Sequence, residues 1–130
     1  MKRYYDVEIP KNHRIYEPEF GIEGIQYKKD NFHKVNTKGA KLVFSLKRDK
    51  KNPKDANAIA IIATKKSFFW DTERPIGYVP AKIAAYIADT GMIKSLMLRP
   101  KRSYVSEDGF IEFSFDILGP KDKYDQYKSV

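Results

Sequence analysis

Two carboxylates, Asp49 and Asp55, bracket a lysine-rich turn in Arg48-Asp-Lys-Lys-Asn-Pro-Lys-Asp55. Paired carboxylates hold divalent cations in nucleases, where the metal polarises a phosphate and activates water. Here Lys47, Arg48, Lys50, Lys51 and Lys54 compete electrostatically with any metal, so a salt-bridged, solvated turn fits better than a nuclease centre. The same cations suit a different chemistry. Lys and Arg neutralise phosphates and release counterions. Aromatic faces stack unpaired bases, at about 1–3 kcal/mol per base, and Tyr27, Phe32 and Phe44 lie within or beside the basic stretch. That combination is the pattern of single-strand binding, although a merely solvated Lys-rich surface has the same composition. By phase, Phe44 belongs to the core. Tyr27 shares a phase with Ile25, which turns it inward unless the strand ends or twists there.

Other chemistries have little to stand on. There is no Cys, hence no disulfide, thiol nucleophile or Cys-ligated metal. The two histidines, His13 and His33, lack ligand-like spacing and read as surface residues. Neither GxxxxGK[ST] nor GxGxxG occurs, so phosphate-cradling loops of those kinds are excluded. Gly21-Ile-Glu-Gly24 matches a GxxG loop in form, but it has an acidic residue inside and reads as a strand bend. Ser67 and Ser103 have no nucleophile-elbow context.

The charge is concentrated. In 130 residues, 25 Lys or Arg face 17 Asp or Glu, a net +8. Residues 27–54 hold ten Lys or Arg against two Asp, also +8, and the remainder balances. A local field of this sign attracts a polyanion: nucleic acid, anionic lipid or an acidic protein. Hydrophobic residues at 42% and aromatics at 14% suffice for a packed core. No apolar run approaches the ~18 residues that span a bilayer, and the N-terminus lacks a signal-peptide core. The expectation is a cytoplasmic protein without a membrane partner or cofactor. Its oligomeric state is left open.

The elements that would position these residues read mostly as strands. Phe20–Tyr27 alternates until the apolar phase slips at Gly24, as at a bulge or bend. Lys41–Lys47 places Leu42, Phe44 and Leu46 on one face. Asn57–Ala63 is a continuous apolar run, read as a strand buried on both faces. Ile76–Val79, Ile93–Leu98 and Phe110–Leu118 add three more. In the last, Ile111, Phe113, Phe115 and Ile117 share a face opposite Glu112, Ser114 and Asp116, and Phe110 falls on the polar side. Only residues 80–91 have helical spacing, with Pro80 at the start and Gly91 past the end. The expected fold is mainly β (α+β): a small antiparallel OB/SH3-like barrel of about six strands, with one main helix (about 80–90) packed on it. Residues 1–19 form an N-terminal extension, an extra strand or a loose arm. Residues 20–118 form the domain. Residues 119–130 form a C-terminal tail, a short helix or frayed.

Leu46–Ala63 (LKRDKKNPKDANAIAIIA), followed by Ile76–Ala88 (IGYVPAKIAAYIA), closely resembles the HIRAN domain. The matching residues are Arg48, Asp49, Asn52, Pro53, Asp55, Asn57, Ala58, Ile59 and Ile61, then Ile76, Gly77, Tyr78, Val79, Pro80 and Ala84. Gly24-Ile-Gln-Tyr27 is similar to the family's opening strand. The resemblance covers about residues 20–118. It implies a β-barrel related to OB and SH3-like barrels, and binding of the 3′ end of single-stranded DNA, with bases stacked on aromatics.

Carried over by residue, the resemblance makes Asp55 the acceptor for the terminal 3′-hydroxyl. A carboxylate accepts strongly from a hydroxyl and repels a phosphate. Tyr27 matches the stacking Tyr. Gln26 stands where a DNA-binding member has Arg, which removes one phosphate contact. Lys54 stands where a stacking Tyr is common and can meet only phosphate or a base edge. Tyr78 and Phe110 are candidate substitutes for end-contacting residues. Lys28, Lys29, Arg48 and Lys51 would line the backbone path. The implied role is a stand-alone, non-catalytic DNA-binding module in DNA repair or stalled-fork processing, with a helicase or nuclease partner supplying any remodelling. The alternative is a protein-interaction module whose basic face docks an acidic partner.

Overall fold

The computed structural model describes residues 1–129, and their seven strands lie in two antiparallel sheets. One sheet has the order β1 (Lys2–Tyr4), β6 (Met97–Val105), β7 (Ile111–Pro120), β2 (His13–Gly21). The other has the order β3 (Lys41–Arg48), β4 (Ile59–Lys66), β5 (Thr72–Tyr78). Three α-helices accompany them: α1 (Lys29–Val35), α2 (Ala81–Thr90) and α3 (Tyr124–Lys128). The architecture is mainly β, with α2 where helical periodicity placed it. Gly91, at φ 68°, ends that helix and returns its N–H to the Ile87 and Ala88 carbonyls, as a left-handed C-terminal residue does.

The expected closed barrel does not form. β2 leaves its sheet at Gly21, and a single bridge, Glu23 to Tyr78, then joins it to β5. On the other side β1 takes the edge of β6, so β3 lies near β6 without a shared ladder. The strand count is seven rather than about six because residues 1–21 contribute two. β2 itself crosses the expected boundary at residue 20. The strand expected at Ile93–Leu98 starts only at Met97, after a 3₁₀ turn over Ile93–Ser95.

The core is aromatic where the sheets face each other. Phe113 and Phe115 stack at 4.4 Å, and Phe44 meets both edge-on at 5.2 Å, geometries that suit aromatic quadrupoles. β4 is buried on both faces from Ile59 to Ala63, as its unbroken apolar run requires. Phe32 is buried against Phe113, which takes it out of the set of aromatics available to a ligand. Asp116 corrects a second expectation, since it lies on the polar face of β7 yet is buried. Its carboxylate accepts the Glu19 N–H at 2.7 Å and has Arg99 and Lys101 at 3.8 Å, so it braces the bulged part of β2.

The C-terminal segment takes the helical alternative. α3 inserts Tyr127, fully buried, between Tyr16 (4.7 Å) and Tyr86 (4.9 Å). The Tyr127 hydroxyl donates to Glu17 Oε2 at 2.7 Å. Burial first, and this carboxylate second, push the Tyr127 phenol far above its ordinary value.

Candidate nucleic-acid interface

The Asn52–Asp55 turn joins β3 to β4, and its side chains close it. Asn52 Oδ1 accepts the Lys54 and Asp55 N–H groups at 2.9 and 3.1 Å, the Asx geometry that makes Asn a turn residue. Asp55 Oδ1 accepts the Asn57 N–H at 2.9 Å. Arg48 braces the far side by donating from Nη2 to the Ala56 carbonyl at 3.2 Å. Asp55 therefore caps the turn with one carboxylate oxygen. No hydrogen bond or ion pair among the described residues engages its other oxygen, Oδ2. The two readings of Asp55, turn cap and acceptor for a ligand hydroxyl, use different oxygens and are compatible. Lys51 and Lys54 are exposed on the same turn.

Asp49 is committed elsewhere. Its Oδ2 accepts the Tyr78 hydroxyl at 3.0 Å and the Asn52 side-chain amide at 3.4 Å. Burial, then the Asp49 carboxylate, raise the Tyr78 phenol above its ordinary value, so the hydroxyl stays a donor. Asp49 and Asp55 thus serve different partners. Among the described residues no group of three or more His, Cys, Asp or Glu is placed to hold a metal.

Tyr78 also carries the second wall of the site. Its backbone N–H and C=O pair with Glu23 at 2.8 and 2.9 Å, which locks the segment after β2 against the end of β5. Gly77 permits this approach, because a Cβ there would lie 2.7 Å from the Glu23 carbonyl oxygen. Gly24 then takes φ 76°, a left-handed conformation cheap only for glycine, and starts a 3₁₀ turn over Ile25–Lys28. The expected opening strand at Gly24–Tyr27 is therefore this turn. Strand alternation ends before Tyr27, and its ring is 94% exposed while Ile25 stays buried. The Lys28 ammonium sits 5.9 Å from the Tyr78 ring centroid, a weak cation–π distance.

The remaining candidates lie on the other flank. Gln26 donates from Nε2 to the Ile111 carbonyl at 2.6 Å and accepts the Ile111 N–H at Oε1, 3.1 Å. Its amide ties the 3₁₀ turn to β7 through one N–H and its oxygen. Phe110, 49% exposed, ends the β6–β7 hairpin turn beside Gln26 and borders a groove that also includes Lys2, Arg102 and Tyr104. The half-exposed Lys29 reaches the same turn. There the Ser106 hydroxyl first, and Lys29 more weakly, hold Asp108 below the usual carboxylate range.

The fold thus ties Tyr78 to Asp49 beside the Asn52–Asp55 turn, sets Lys28 by the Tyr78 ring and leaves Tyr27 exposed on the adjoining 3₁₀ turn, while Gln26 and Lys29 reach from that end of the molecule to the β6–β7 hairpin turn and Phe110. Asn52, which organises the turn, and Glu23, which docks the two walls, carry no functional signal in the sequence beyond the motif itself. An exposed aromatic on a pinned backbone, in a domain that also carries a lysine-rich turn, is the equipment of a nucleic-acid-binding module. The HIRAN domain family model matches residues 16–110, and the chain belongs to that family. No curated protein matches the chain. A crystal structure of the HIRAN domain of human HLTF is similar over 91% of this chain and 92% of that one, at 16% identity and a TM-score of 0.48.

Proposed function

We propose that this HIRAN domain binds DNA, takes single-stranded 3′-hydroxyl ends in particular, and has no catalysis of its own. Membership of the family supports nucleic-acid binding as the class. The end preference rests on one observation, the unengaged Oδ2 of Asp55 at the rim of a turn otherwise lined by Lys51 and Lys54. The terminal base stacks on Tyr27, whose exposed ring stands on a turn pinned from both sides. The last sugar directs its 3′-hydroxyl to Asp55 Oδ2, where a phosphate would be repelled. Lys28, Lys51, Lys54 and Arg48 follow the backbone. Lys54 contributes charge where an aromatic would add a second stack, so Tyr27 is the principal base contact. In repair or stalled-fork processing, such a module would deliver an end to a helicase or nuclease.

The test is binding of fluorescent single strands that differ only in a 3′-hydroxyl or 3′-phosphate terminus. Tighter binding of the hydroxyl strand is expected, and Asp55→Ala should abolish the preference while leaving salt-sensitive binding. Equal affinity for both strands in the wild type removes the role of Asp55. No DNA binding at low salt, with capture of an acidic partner instead, replaces the reading with the protein-docking one.

A further inference from the structure

The three-stranded sheet has a second unusual end. Its β4–β5 hairpin tip carries Phe68, Phe69 and Trp70 in succession, 94%, 81% and 73% exposed. Three adjacent aromatics held in water are costly, since each leaves large apolar area unburied. The rings touch one another, Phe68–Phe69 at 5.1 Å and Phe69–Trp70 at 6.1 Å, and none pairs with an aromatic of the core among the described residues. The tip is nevertheless braced. Lys66 pairs with Asp71 at 3.0 Å, and the Ser67 hydroxyl donates to the Trp70 carbonyl.

The surroundings are basic. Lys41 and Lys66 face each other directly across β3 and β4, a like-charge pairing that costs stability in a sheet. Lys65 reaches the Thr37 hydroxyl at 3.4 Å, next in sequence to the exposed Lys38. Asp71 and Glu73 are the acidic residues on this hairpin, and Asp71 is occupied by Lys66. Exposed rings set beside Lys38, Lys41 and Lys65, none of which is paired with a carboxylate among the described residues, complement a strand of bases and phosphates.

We infer that the β4–β5 tip is a second nucleic-acid contact, on which bases of a single strand stack on Phe68, Phe69 and Trp70 while Lys38, Lys41 and Lys65 meet phosphates. It rests on the preceding reading only in that one strand reaches both sites. β4 has eight residues, which at about 3.3 Å each puts the tip on the order of 25 Å from the Asn52–Asp55 turn. The exposed residues of β3, Lys41, Val43, Ser45 and Lys47, run between the two. The proposed order along the strand is the 3′ terminus at the turn and upstream bases at the tip.

Trp70 is the chain's single tryptophan, so its fluorescence reports on the tip alone. A saturating 12-mer of thymidine should quench it to the same final extent with a 3′-hydroxyl or a 3′-phosphate, because the tip does not read the end. Triple replacement of Phe68, Phe69 and Trp70 by Ser, all exposed, should leave the melting temperature unchanged. It should weaken 12-mer binding at least about tenfold and leave a 4-mer's affinity and any 3′-hydroxyl preference intact. Unchanged Trp70 fluorescence at saturating 12-mer overturns the proposal. So does a response to phosphatidylserine vesicles or polyglutamate that matches or exceeds the one to DNA. Loss of the end preference with quenching retained would remove the role of Asp55 and leave the tip standing.

Discussion

The two ends of the three-stranded sheet expose aromatics in opposite ways. At the turn end, Tyr27 projects from a segment fastened by Glu23 to Tyr78, by Gln26 to Ile111 and by Gly77's open approach. At the hairpin end, Phe68, Phe69 and Trp70 stand on a turn braced only by its own Ser67 and the Lys66–Asp71 pair. A ring on an immobilised frame can place one base against one carboxylate. Rings on a projecting tip can hold bases without choosing among them. The difference suggests that discrimination belongs to the rigid end and reach to the other.

The largest break in this comparison is expected at Gly77. Gly77→Ala drives a methyl into the Glu23 carbonyl oxygen, 2.7 Å from the ideal Cβ position. It should cost roughly 1–3 kcal/mol of stability, read by denaturant melting, and loosen the Tyr27 wall enough to weaken DNA binding as well. Tyr27→Ala separates the two effects. With the ring 94% exposed, the melting temperature should stay within a degree or so, while affinity for a 3′-hydroxyl strand falls by about 1–3 kcal/mol. If Gly77→Ala destabilises without weakening binding, the frame is not what positions the ring.

Smaller effects come from the hydrogen-bonded phenols. Tyr78→Phe removes the donor to Asp49 and should lower stability by about 1 kcal/mol. Tyr16, Tyr78 and Tyr127 all have phenols raised above the ordinary value of 10.0. Their stabilisation is therefore complete below about pH 10 and lost as pH rises through the folded-state values. The melting temperature should hold to about pH 9 and fall above pH 10, less steeply in Tyr127→Phe. Smallest is the loss of one phosphate contact: Lys51→Ala should reduce the slope of log affinity against log salt by about one, with the end preference retained.

Much of this was legible in the sequence, for identifiable reasons. β4 declared itself by an apolar run too continuous for a half-solvated strand. α2 did so by 3.6-residue spacing between Pro80 and Gly91. Phe110 falls on the polar side by its phase with the residues that follow it, and it is half-exposed, just ahead of β7. Tyr27 was ambiguous, because alternation points inward until Gly24 breaks the strand, and only the backbone shows that it does. α1 was not legible, since in seven residues Phe32 and Val35 make a single apolar pair. Asp116 looked solvated because the bulge of β2 that covers it has no signature in its own residues. The Asn52–Asp55 turn could be located by motif, but the division of Asp55 into a capping oxygen and a free one is a matter of geometry. The closed barrel failed because departure of β2 at Gly21 and occupation of β6 by β1 are both long-range events.

The central claim is that the free oxygen of Asp55 reads a strand end. The most direct measurement compares the affinities of 3′-hydroxyl and 3′-phosphate single strands for the wild type and for Asp55→Asn, which keeps the capping geometry through its amide oxygen. The account predicts a clear preference for the hydroxyl strand in the wild type and its marked reduction in Asp55→Asn, as the charge that repels phosphate is lost. Equal affinities in the wild type, or an undiminished preference in Asp55→Asn, would contradict it.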